Sequence, residues 1–113
     1  MRTIEKPWGN ELIWADTDKY AAKILTIMPG QKLSRQYHRN KDETIYVMQG
    51  TLVLELGGEN EMVKIICHPG YYKRITPGEI HRFAAPSAGC VLVEVSTPEL
   101  EDVVRLEDDY GRV

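Results

Sequence analysis

A chain of 113 residues with 42% hydrophobic and 27% charged residues has a globular balance and the length of one domain. That excludes a disordered chain and a fold that needs metal or disulfide merely to hold together. The net charge is −3 and the basic residues are scattered, which excludes the basic footprint of a nucleic-acid surface.

The first twenty residues, opening MRTIEKPWGNELIW, carry charges and a proline where a signal segment would be apolar. No stretch approaches the ~18 apolar residues of a membrane helix, so no membrane is expected and the expected location is cytoplasmic. Trp8 and Trp14 read as packing residues. This segment and the C-terminal one are the least strand-like, and are expected to lie at the periphery or against a partner subunit, in a homodimer.

From Ala21 onward, short apolar or alternating runs are separated by Gly and Pro. AAKILTIM (21–28) stops at Pro29-Gly30, and TIYVM (44–48) at Gln49-Gly50. TLVLEL (51–56) stops at Gly57-Gly58, a hairpin signal, and EMVKIIC (61–67) at Pro69-Gly70. Tyr71–Ile75 ends at Pro77-Gly78, and CVLVEV (90–95) is a dense buried-strand signal. Runs at this spacing predict an all-β barrel or sandwich of one domain, residues 1–113. PELEDVV (98–104) predicts a short helical turn with Thr97 as N-cap. Cys67 and Cys90, not in a CxxC spacing, read as core thiols of a reducing compartment. His68 reads as a surface residue.

The stretch QKLSRQYHRN puts Ser34, Gln36, His38 and Asn40 on one strand face by alternation, with Leu33, Arg35 and Tyr37 on the other. A polar face on a barrel strand suits a cavity. Glu43 opens the next run, and His81 follows the Pro77-Gly78 turn. Two histidines and a glutamate near strand ends have the composition of a divalent-metal site. Lys23, Ser34 and Gln36 are further cavity candidates by strand parity.

These residues resemble the two motifs of the cupin superfamily. The first, G(X)5HXH(X)3–4E(X)6G, is answered by Gly30, His38-Arg39-Asn40, Glu43 and Gly50. The second, G(X)5PXG(X)2H(X)3N, is answered by Gly70, Thr76-Pro77-Gly78 and His81, with Ala85 in the final place. KPWGNE, KLSRQYHRN and RLEDDYGR are similar to the cupin domain of type II mannose-6-phosphate isomerases, where the domain often follows a guanylyltransferase domain. The resemblance implies a jelly-roll barrel, the cupin double-stranded β-helix. It implies a metal held by His38, Glu43 and His81, with Asn40 in the place of a fourth ligand. Zinc is the first expectation, with manganese, iron, cobalt or nickel as alternatives.

It further implies interconversion of an aldose phosphate and a ketose phosphate through a cis-enediol. Arg105 would hold phosphate or developing charge, and the base would be metal-bound hydroxide, Glu94 or Lys23. Asp108 and Asp109 read as solvated or capping charges. The departures at Asn40, Thr76 and Ala85 keep two alternatives open, a non-catalytic sugar-binding cupin and a non-haem metal oxygenase. A metal-free sugar-nucleotide epimerase would need a His–Asp/Tyr pair that the sequence does not show.

Overall fold

The alternating runs fold into strands, and the inward side chains of each run close on one another across two sheets. A computed structural model describes residues 1–58 and 60–113, and these form eleven strands and no helix. Six strands lie in the order β1 (Arg2–Lys6), β2 (Gly9–Asp16), β3 (Ala21–Ile27), β10 (Cys90–Ser96), β5 (Glu43–Gly50) and β8 (Tyr72–Ile75). The other five lie in the order β11 (Val104–Glu107), β4 (Arg35–Tyr37), β9 (His81–Ala84), β6 (Leu52–Leu56) and β7 (Val63–Cys67). All pairings are antiparallel. From β3 onward the chain changes sheet at every connection except the β6–β7 hairpin, which is the path of a jelly roll.

The terminal segments are peripheral, as expected, yet each is a strand: β1 and β11 form sheet edges. The helical turn expected over 98–104 does not form. Thr97 instead holds the start of β5, its hydroxyl accepting the Asp42 N–H at 3.0 Å while its own N–H reaches the Asp42 carbonyl. Pro98–Val103 runs on as irregular chain into β11.

The core is built from Leu25, Ile45, Val47, Leu52, Leu54, Ile75, Phe83 and Leu92, closed at one side by buried Trp8. Trp14, by contrast, is half-exposed. Cys67 and Cys90 are buried free thiols, and burial pushes Cys90 up to about 11, with Cys67 adding to it. Gly50, with φ of 76°, lies so close to the next turn that an added Cβ would sit 2.3 Å from the Gly89 carbonyl oxygen. Only glycine fits that approach.

On the outer face of the five-stranded sheet the C-terminal string is a latch. Arg82, nearly inaccessible, donates to the Leu33 carbonyl at 2.7 Å, to Glu107 at 2.8 Å and to Asp109 at 2.8 Å. Arg35 bridges Glu55 at 2.6 Å and Glu107 at 3.3 Å. Asp108 binds Arg112, and the Tyr110 hydroxyl donates to Gln31. The aspartates read as solvated or capping charges are therefore ion-pair partners: β11 brings Asp109 against Arg82 of β9, and Asp108 pairs with Arg112 four residues on.

Arg82→Ala leaves the Leu33 carbonyl and the neighbouring acids without their donor. It should cost about 2–4 kcal/mol of stability in denaturant unfolding. A loss under ~1 kcal/mol would show that the latch contributes little.

Candidate metal centre

Interior positions of the six-stranded sheet alternate along each strand, and in four strands the apolar stripe contains an ionisable residue. Glu11 is followed by Ile13, Lys23 by Leu25, Glu43 by Ile45, and Leu92 by Glu94, all of them buried. Charges in such places must be paired. Lys23 lies opposite Glu94 in the β3–β10 register and its ammonium is 3.1 Å from Glu11.

Glu43 is the meeting point. Its Oε1 lies 3.1 Å from His38 Nε2 and 3.3 Å from His81 Nε2. The histidine rings are 5.2 Å apart between centroids and tilted by 49°. Ligand atoms of the three residues all lie within 4.8 Å of one another. Each histidine uses its other nitrogen on a carbonyl, His38 Nδ1 on Asp102 and His81 Nδ1 on Glu79 at 2.9 Å. A carbonyl only accepts, so each Nδ1 is a donor, and each Nε2 faces the Glu43 carboxylate. Two imidazole nitrogens and a carboxylate thus converge in buried space, and His81 Nε2 and Glu43 Oε2 have no hydrogen-bond partner among the described residues. A bound divalent cation satisfies all of them, and carbonyl-held imidazoles are the usual support of a metal-binding histidine. The residues fit a metal.

Asn40 is not brought to this group. Strand β4 ends at Tyr37, so the alternation that aligned Asn40 with His38 stops before it. The Asp102 carboxylate accepts the backbone N–H groups of Arg39, Asn40 and Lys41 at 3.0, 2.7 and 2.9 Å. That cradle bends the chain, leaves Asn40 exposed and turns Lys41 inward. Slight burial works against ionisation of Asp102, but the three N–H donors outweigh it and lower its pKa.

The buried Lys41 ammonium lies 3.0 Å from Glu94 and 3.5 Å from Glu43. Burial alone would lower its pKa, but Glu94 and Glu43 outweigh that and raise it above the lysine range. Burial works to raise the Glu43 carboxyl too, yet the His38 and His81 contacts lead the groups that hold it well below the carboxylate range. Glu94 moves the other way, pushed up by burial and then by the Glu43 charge, against Lys41 and Lys23. Lys41, Glu11 and Asp102 were not found from alternation. The only signal for Lys41 was a charge two residues before Glu43.

Of the three metal-site residues, His38 reaches the wall of a cavity of about 630 Å³, which Glu94, Lys23, Gln36, Lys41 and Arg105 also line. Ser34 is buried and not at the wall, but its hydroxyl donates to Gln36 Oε1 at 2.6 Å. In register, Arg105 pairs with Gln36 and Gln36 with His81, so the three form one row across neighbouring strands. Arg105 Nε is buried without a hydrogen-bond partner among the described residues.

Residues 23–96 match the family described as Cupin domain. The chain belongs to the cupin family. It is 35% identical over 117 aligned positions to the mannose-1-phosphate guanylyltransferase ManC of Salmonella typhimurium strain LT2. It is 34% identical over 121 to the mannose-1-phosphate guanylyltransferase of Escherichia coli K12. Each match covers 99% of this chain and 23% of the relative, so the cupin spans about a quarter of those proteins. The fold is shared with KdgF from Halomonas sp., with a TM-score of 0.75, 22% identity, and 87% and 88% of the two chains covered. An RmlC-like cupin from Shewanella frigidimarina gives 0.77 at 18% identity, covering 88% and 86%. No helix among the described residues is long and apolar enough to cross a membrane.

His81→Ala should lower zinc or manganese affinity by at least ~100-fold and Asp102→Ala by about 10–100-fold, while Asn40→Ala changes it less than about 3-fold. Titration of metal-free protein, followed by elemental analysis, measures all three. Equal losses for Asn40→Ala and His81→Ala would restore Asn40 as a ligand.

Proposed function

We propose that this cupin is a metal-dependent isomerase that interconverts an aldose phosphate and a ketose phosphate, in the manner of a mannose-6-phosphate isomerase. The observation that carries the reading is Arg105. Among the described ion pairs, Arg2, Lys6, Lys23, Lys41 and Arg112 at the cavity wall each have an acidic partner, and Arg105 has none. A guanidinium left over in a cavity, two strands from a metal ligand, fits an anionic group on a small polar substrate. The names of the guanylyltransferase relatives, which refer to a mannose phosphate, support the same substrate class.

A divalent cation held by His38, Glu43 and His81 supplies Lewis acidity towards carbonyl and hydroxyl oxygens. Zinc heads the expected ions, with manganese, iron, cobalt and nickel as alternatives. Of the carboxylates that line the cavity outside that ligand set, Glu94 is the one whose neighbour Lys41 also approaches Glu43, and in this reading it takes the C2 proton and returns it at C1, through a cis-enediol. Lys41 holds the Glu94 carboxylate at 3.0 Å, and Lys23 stands opposite Glu94 in the sheet register with its ammonium on Glu11. Gln36, with its carbonyl end occupied by Ser34, presents its amide nitrogen to sugar oxygens. Arg105 holds the phosphate.

With zinc or manganese added, aldose-to-ketose conversion should appear on a panel of hexose and pentose phosphates and vanish on chelation. Glu94→Gln should remove turnover by at least ~100-fold while metal content stays intact. Arg105→Ala should raise KM for phosphorylated sugars about 10-fold or more, with little change for unphosphorylated ones. No turnover on the whole panel would overturn the isomerase. The three-donor set, without Asn40, also fits a non-haem iron centre, so oxygen uptake by iron-loaded protein is the measurement that favours the second reading.

A further inference from the structure

Strand β10 ends at Ser96 in the six-stranded sheet, and β11 begins at Val104 in the five-stranded one. Residues 97–103 carry the chain between the sheets without regular structure. Pro98, Leu100, Glu101 and Val103 line the cavity, as do Arg105 and His38. Within the segment, Leu100 N–H donates to the Pro98 carbonyl at 2.8 Å and Asp102 N–H to the Glu99 carbonyl at 3.3 Å. Pro98, Leu100 and Val103 are only half-buried, and none of them belongs to the hydrophobic core. Few internal bonds and little buried apolar surface give such a segment low local stability, so its position depends on its tethers.

Both tethers land on residues 38–43, a stretch with a metal-site residue at each end. At one end the Thr97 hydroxyl accepts the Asp42 N–H, and Thr97 N–H donates to the Asp42 carbonyl, both at 3.0 Å, next to Glu43. At the other end the Asp102 carboxylate holds the N–H groups of residues 39–41, and its carbonyl accepts from His38 Nδ1. His81 is fastened differently, since its Nδ1 donates to the carbonyl of Glu79, two residues back in its own turn. The His38 ring therefore has Glu43 on its Nε2 side and the cavity segment on its Nδ1 side.

We infer that residues 97–103 are a strap whose hold on the cavity is set by metal loading. The inference rests on the reading of His38, Glu43 and His81 as metal ligands. A cation on Nε2 withdraws electron density from the imidazole and fixes its orientation, which makes Nδ1–H a stronger donor. The bond to the Asp102 carbonyl then tightens and the strap lies closed along the cavity. In the metal-free chain that bond is weaker, and the strap opens more often. Linkage makes the coupling reciprocal, so a closed strap raises metal affinity in turn. The same fastening extends to the anion-binding side, because β11, which carries Arg105, starts two residues after Asp102. One carbonyl thus joins a metal ligand to the wall that faces the substrate.

Hydrogen–deuterium exchange of the metal-free and zinc-saturated protein measures the coupling. Zinc should slow the amides of residue 97 and residues 99–103 by at least ~10-fold and leave those of the edge strand β7 within about 2-fold. In Asp102→Ala, with the site filled as judged by elemental analysis, the strap amides should exchange fast with and without zinc. Thr97→Val, which removes a hydroxyl tether but keeps the His38 bond, should speed exchange in both states and retain the zinc response. Zinc bound at one ion per chain with unchanged strap exchange would overturn the inference. Slowing shared equally by β7 would mean general stabilisation and would overturn it too. A chain that binds no zinc would overturn both the strap and the metal reading beneath it.

Discussion

A carboxylate at 2% exposure between two histidines dominates the design of this protein. Glu43 cannot be buried as a bare charge, and its surroundings are arranged around that constraint. Lys41 approaches one oxygen and the two imidazoles approach the other, each turned by a carbonyl on its far side. The cavity, the row from His81 to Arg105 and the Lys23–Glu11 pair all follow from siting charge at the inner end of a β-sandwich. The same sheet pairing that fills the rest of the interior with Leu, Ile and Val leaves that end polar.

The fold was largely legible in the sequence. Each β-rich run between Gly and Pro breaks became a strand, because two-residue periodicity keeps one side of every run against the core, at sheet edges (β7, β8) as well as in the middle. The ends were less legible: β1 and β2 form a hairpin whose turn falls at Pro7-Trp8, and β11 gains its regularity from β4, far away in sequence. The PELEDVV segment had local helix character, but Asp102 is held by the backbone of residues 39–41, and that tertiary contact prevails over local propensity.

The candidate site was half legible for the same reason. His38, Glu43 and His81 stand where motif spacing puts them, and Lys23, Gln36, Glu94 and Arg105 reach the same cavity. Asn40 failed because alternation was extended one residue pair beyond the strand. Once backbone N–H groups turn towards a carboxylate, parity no longer predicts direction, and Lys41 takes the inward place. A cradle formed by a residue sixty positions away leaves no trace in the local pattern.

That cradle also sets an order of events as the chain is made. His38, Glu43 and His81 are all synthesised before Asp102, yet His38 has no carbonyl to fix its ring until the segment after β10 folds back across it. Ligand residues thus exist before a ligand geometry does. A metal ion encountering the growing chain meets loose imidazoles, whereas the chain with β11 in place offers a preformed seat.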